Sequence, residues 1–154
     1  MDKKIELYEF NLTGEQEERA KILHEEAIII DMLFQGPLSQ YSIPDKVSED
    51  TKSEAEEKHG DNIGAQINTA RYRLDKLATE GKLPEFKECW YQSGITAGNR
   101  QLGLGSLEEI ITSICGNEMQ FDSFDWLIKA LKVEDIERAK RENKKAGIVT
   151  CQET

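Results

Sequence analysis

The chain has 154 residues, of which 38% are hydrophobic and 32% charged, and these proportions are typical of one globular domain with its own core. Asp and Glu number 30 against 20 Lys and Arg, so the formal net charge is −10. An acidic surface repels phosphate backbones and anionic lipid headgroups, which argues against nucleic acid or membrane as a partner. No apolar run has the length of a transmembrane helix or the position of a signal peptide, and we expect a cytoplasmic location.

The cysteines and histidines of this chain do not have the spacing of a metal site. Cys89, Cys115 and Cys151 form no Cys-x-x-Cys pair. We expect them to be small buried apolar residues. His24 and His59 lie far apart in the sequence. A mechanism that needs several histidines from these residues is therefore excluded.

The N-terminal half contains helix signals around one apolar run. Thr13 and Gln16 form a capping-box pattern that predicts a helix to about Glu26. Residues 27–31, Ala-Ile-Ile-Ile-Asp, predict a strand buried on both faces, as in a parallel sheet. The acidic segment 48–61 is either an insertion or a solvated helix. From Asn62 onward, apolar residues at helical spacing predict a long helix that Gly81 follows as a C-cap.

The C-terminal half alternates strand and helix patterns. Residues 95–102 predict a weak second strand, and Ser106 predicts the start of a helix. Residues 121–133 predict another helical segment, and residues 134–143 a charged amphipathic helix. The β-branched run 147–151 predicts a final strand. The whole chain, 1–154, is thus expected to form a single α/β unit with about three parallel strands and flanking helices.

Two segments resemble the membrane (renal) dipeptidase family, which belongs to the amidohydrolase-type metal-dependent barrels. Residues 24–31, His-Glu-Glu-Ala-Ile-Ile-Ile-Asp, resemble the beginning of that family's first barrel strand. Residues 134–149, with the pattern Asp-Ile-x-x-Ala-Lys, are similar to its helix and a later strand, and residues 93–96 resemble the start of the strand between them. The resemblance implies a (β/α)8 TIM-type barrel. Because such a barrel needs about 250 residues, this chain would be its N-terminal portion, an incomplete barrel domain.

The resemblance also implies zinc, and here the chain departs from the family. The family's first strand ends in a His-x-Asp pair that binds metal, whereas this chain has Leu33 and Gln35 at those positions. Leucine has no donor atom, and a neutral amide replaces a carboxylate poorly at zinc. Half of the first metal site is therefore missing. With Asp31, at the end of the first strand, these two residues are candidates for the mouth of the active site.

At the later strand, the family has a metal-bridging Glu, and two registers remain open. One places Glu153 at that position and the other places Gln152 there. Glu153 could ligate zinc, whereas Gln152 would match degenerate members of the family. Glu153 is the single candidate metal ligand of this chain. The alternative interpretation is that Glu153 is an ordinary polar residue at a strand end.

The function implied by the resemblance is hydrolysis of dipeptides by metal-activated water, with a small peptide as substrate and a homo-oligomer as a possible assembly. We expect the 154-residue chain to be inactive alone. The alternative is a non-catalytic degenerate barrel or an acidic protein-interaction module. The missing ligands and the acidic segment 48–61 favour that alternative.

Overall fold

The computed structural model describes residues 10–33, 44–101 and 106–150, with backbone only at residues 68, 101 and 109. The helices within these ranges are α1 (Gly14–Glu26), α2 (Asp45–His59), α3 (Ile63–Thr79), α4 (Glu85–Gln92), α5 (Leu107–Ser123) and α6 (Val133–Arg141). The strands are β1 (Ile30–Asp31), β2 (Ala97–Gln101), β3 (Leu127–Lys129) and β4 (Lys145–Thr150).

The strands form one parallel sheet in the order β1-β2-β4-β3. The predicted α/β class with parallel strands is confirmed, but the expected count of about three strands is wrong for the described residues. The helix predicted over residues 121–133 is also wrong, because α5 ends at Ser123 and β3 follows. Three residues are too few to show a strand period. What fixes β3 is its pairing with the first half of β4, Leu127 lying opposite Lys145.

The first strand is shorter than its apolar run predicts. Only Ile30 and Asp31 are strand residues, paired with Ala97 and Gly98. The carbonyl of Ile29 accepts hydrogen bonds from the amides of Thr96 and Ala97, at 2.8 and 3.0 Å, so the pairing begins where β2 begins. β1 lies at the edge of the sheet that the described residues form, and Ile30 is half-exposed. Its predicted burial on both faces is therefore wrong.

Local signals predict the helices well. The Thr13 hydroxyl accepts from the Gln16 amide at 3.3 Å, and the Gln16 side chain accepts from the Thr13 amide at 2.9 Å, which is the predicted capping box. The acidic segment 48–61 lies mostly in α2, a largely solvated helix that buries only Thr51 and Ala55. Gly81, with a φ of 71°, follows α3 as the helix stop.

Two apolar layers cover opposite faces of the sheet. On one face, α3 and α4 pack over Trp126 and Leu127 through a cluster completed by Leu74, Ala78, Leu83, Phe86 and Trp90. On the other face, Ile136 and Ala139 of α6 pack against Ala97 and Ala146. The ring of Phe121 places α5 on the first face, next to Gly147. The described residues therefore form three layers, helices–sheet–helix.

Gly147 sits where no side chain fits. A Cβ atom there would lie 2.7 Å from the Phe121 ring and 3.0 Å from Cγ of Arg100. We expect Gly147→Ala to lower the free energy of unfolding by about 1–3 kcal/mol, because overpacking forces neighbours to shift. Gly116→Ala is the matched control, since its Cβ would meet only Tyr72 at 3.9 Å, and alanine in a helix gains about 0.5–1 kcal/mol. Urea unfolding measures both, and equal stability of the two variants would contradict this packing.

Candidate functional site at the carboxyl edge of the sheet

The four parallel strands point their carboxyl ends toward one edge of the sheet, which is where α/β proteins place their binding sites. β1 ends at Asp31, β2 ends with Asn99 and Arg100 before Gln101, and β4 ends at Thr150. The side chains of Asn99 and Arg100 point to opposite faces, because successive strand residues alternate. Two separate polar groupings result, one around each residue.

Asn99 connects the ends of three strands. Its Nδ2 donates to the carbonyl of Met32 at 2.8 Å, just after β1. Its Oδ1 accepts a hydrogen bond from the hydroxyl of Thr150, at the end of β4. Asn99 is buried, so both hydrogen bonds are shielded from water. Asn99 thus fixes the backbone that leaves β1, a role that its local sequence does not predict. The one signal for this role in the sequence is that asparagine is uncommon inside a strand.

Asp31 closes the turn after β1. Its Oδ1 accepts from the amide of Leu33 at 2.8 Å, which is an Asx-type turn. Leu33 is 76% exposed. Asp31 pairs with Gly98, so it lies on the same face of the sheet as Arg100. One carboxylate oxygen of Asp31 is thus already used to hold the backbone.

Arg100 is the centre of a buried polar network that joins β2 to α3 and α5. Its Nη2 donates to Oε1 of Gln120 at 2.7 Å, and its Nε donates to Oδ1 of Asn117 at 3.3 Å. The same Nη2 lies 3.7 Å from Oδ1 of Asp75. Arg100 is only 6% exposed. We call these four residues the Arg100 network.

Burial dominates the electrostatics of the Arg100 network. It raises the pKa of Asp75 from 3.8 to about 6, although the neighbouring Arg100 and Arg71 charges oppose that rise. Burial likewise lowers the pKa of Arg100, and Asp75 opposes this change. The guanidinium still keeps its proton at physiological pH. Asp75 is therefore a carboxylate that titrates close to neutrality inside the protein, and no feature of its local sequence predicts this.

Two of the five site residues proposed from the sequence lie within the described residues. Asp31 and Leu33 lie together at the end of β1, whereas Gln35, Gln152 and Glu153 lie outside the described residues. The choice of register between Gln152 and Glu153 therefore stays open. Of the three cysteines expected to be buried, Cys115 is exposed, so that expectation is wrong for it. Cys89 is half-buried, and Cys151 lies outside the described residues.

Among the described residues, the donor set at this edge does not fit zinc. Within residues 10–33, 44–101 and 106–150, no three His, Cys, Asp or Glu side chains are grouped closely enough to hold a metal ion. Asp31 has one oxygen engaged by the Leu33 amide, and Leu33 itself offers no donor atom. The chemistry of these side chains suits hydrogen bonding and backbone support.

Comparison of the chain with protein-family models, curated proteins and solved structures finds no match. The fold of the described residues places the protein in the α/β class, with a four-stranded parallel sheet. Among the residues that the structure describes, no helix is long and apolar enough to cross a membrane.

Proposed function

We propose that the chain is the N-terminal portion of a membrane-dipeptidase-like protein, in which it supplies scaffold at the substrate edge rather than the first pair of metal ligands. The observation that carries this proposal is the α6–β4 unit. The segment that resembles the family's helix and later strand is here a helix, Val133–Arg141, followed by a strand parallel to β2. Thr150, at the end of that strand, bonds Asn99, which in turn bonds the residue after Asp31.

In the proposed barrel, the successive strands would be β1, β2 and β4, which are neighbours in this order. β3 would be an addition along the first half of β4. A closed barrel also needs one sheet face without helices, whereas helices cover both faces here. The barrel therefore requires one helical layer to move aside and β3 to leave the edge of β4 when further strands pair with β4. If the barrel does not form, the alternative arrangement is an open sheet between two layers of helices.

The proposed role of this chain in hydrolysis is positioning. In the family, metal-activated water attacks the peptide carbonyl, and the residues described here supply no such metal site. Asn99 and Asp31 would instead hold the backbone after β1 in a fixed conformation. A fixed rim of this kind would orient a dipeptide or small peptide at the carboxyl edge.

A dipeptide hydrolysis assay on the protein produced by its gene, with zinc content measured by elemental analysis, tests this proposal. We expect hydrolysis that falls by about tenfold or more in Glu153→Gln. Glu137→Gln, a change at an exposed position of α6, is the matched control and should leave the rate unchanged. A folded protein without zinc and without hydrolysis would overturn the hydrolase proposal.

A second candidate function is a non-catalytic protein-interaction module. Two observations favour it: helices cover both faces of the sheet, and the described residues contain no metal-ligand group. The formal charge of −10 would favour a basic partner. This candidate predicts a stable fold with neither metal nor turnover.

A further inference from the structure

Helix α5 exposes a row of large apolar side chains along one side. Leu107, Ile111 and Ile114 are 73%, 50% and 40% exposed. Their spacing of four and then three residues places them on one helix face. We call these three residues the α5 stripe. Asn117 and Gln120 of the Arg100 network are buried on the same helix, one to two turns further along the chain.

The spacing of the α5 stripe is that of a helix-docking surface. Single exposed apolar residues are ordinary on protein surfaces, but a continuous row costs hydration and marks a contact site. Amphipathic helices pack on one another through side chains at i, i+4 and i+7, the pattern of Leu107, Ile111 and Ile114. The geometry of the stripe therefore fits one helix lying along α5.

The charge of α5 selects the kind of helix that would dock. The helix contains Glu108, Glu109, Glu118 and Asp122 and no Lys or Arg. Within the described residues, Lys129 pairs with Glu118, and Glu108 is exposed next to Leu107. A second copy of the chain would bring the same carboxylates face to face, and an anionic membrane would be repelled as well. A helix with Lys or Arg beside its apolar face would be attracted.

We infer that the α5 stripe is the docking surface for a cationic amphipathic helix of a partner protein. The partner would lay its apolar face on Leu107, Ile111 and Ile114 and place its basic side chains beside Glu108 and Asp122. This surface uses none of the residues of the proposed hydrolase function. Its failure in an experiment would leave that function untouched, and the failure of hydrolysis would leave this surface untouched.

A synthetic peptide tests the inference directly. The probe is a helical peptide of about 16 residues, with leucines on one face and lysines on its flanks, titrated by calorimetry. Cys115 reports the location, because its exposed thiol directly follows Ile114. We expect saturable binding and roughly tenfold slower alkylation of Cys115, mapped by mass spectrometry. Alkylation of the half-buried Cys89 in α4 should stay unchanged.

Three comparisons make the test decisive. Ile111→Ser should weaken binding about tenfold or more, whereas Leu131→Ser, a matched change at another exposed apolar residue, should have no effect. Both sites are exposed, so neither change should unfold the chain. Glu108→Gln combined with Asp122→Asn should weaken binding and reduce its salt dependence. A scrambled peptide of the same composition should not bind.

Several results would overturn the inference. Equal binding of the scrambled peptide would show general charge attraction, and equal losses in Ile111→Ser and Leu131→Ser would remove the α5 stripe from the interface. Dimerisation of the chain that Ile111→Ser abolishes would assign the stripe to a second copy. Binding to anionic vesicles that Ile111→Ser abolishes would assign it to a membrane. Absence of any binding to the amphipathic peptide would also refute the inference.

Discussion

Replacing Arg100 with leucine is expected to lower the free energy of unfolding by about 3–5 kcal/mol at pH 8. The substitution leaves the half-buried Asp75 without the guanidinium that lies 3.7 Å from it. It also removes the donors that satisfy Asn117 and Gln120, at 3.3 and 2.7 Å. An unpaired carboxylate and two unsatisfied amides are among the most destabilising features of a protein interior. Urea unfolding monitored by tryptophan fluorescence gives the value.

The double variant Arg100→Leu with Asp75→Leu is the control for this prediction. Removing both charges of a buried pair is often neutral or stabilising, so the double variant should recover most of the stability that Arg100→Leu loses. The deficit of the single variant should also shrink at pH 5, because Asp75 can then take up a proton. A single variant with native stability at pH 8 would show that the Arg100 network does not support the fold.

The stability of the native chain is expected to fall between about pH 4 and pH 7 through Asp75. Its folded-state pKa of about 6 lies above the ordinary value of 3.8, so the folded state binds this proton more tightly than the unfolded chain does. The contribution of Asp75 is therefore fully present below pH 3.8 and is lost as the pH rises through 6. A difference of this size corresponds to about 3 kcal/mol.

Asp75→Asn should remove this part of the pH dependence. An amide keeps an oxygen toward Arg100 but carries no charge, as the protonated carboxyl does. We expect the variant to be more stable than the native chain at pH 8, by up to about 3 kcal/mol, and equally stable near pH 4. Chemical denaturation across this pH range measures both curves, and an NMR titration of the Asp75 carboxyl gives its pKa. A variant that is less stable at every pH would show that the Arg100 charge needs its counter-ion more than Asp75 needs its proton.

Part of the candidate site can be predicted from the local sequence, and part depends on contacts between residues that are distant in the chain. Asp31 and Leu33 lie at the end of an apolar run that predicts a strand, and the structure places both residues at the end of β1. No local pattern singles out Asn99 and Thr150, because their hydrogen bond exists only when β2 and β4 are neighbours. The proposed roles of Gln35, Gln152 and Glu153 stay predictions that depend on the family resemblance.

The sequence by itself determined the local structure of this protein. The capping box at Thr13, the apolar period of α3 and the charged face of α6 each act within a few residues, so their helices could be predicted. The alternation of helix and strand also determined the parallel α/β class. Tertiary structure alone decided the existence of β3, its place beside β4 and the burial of Arg100 with Asp75. Strand pairing and desolvation depend on residues that are distant in the chain, and no local pattern contains that information.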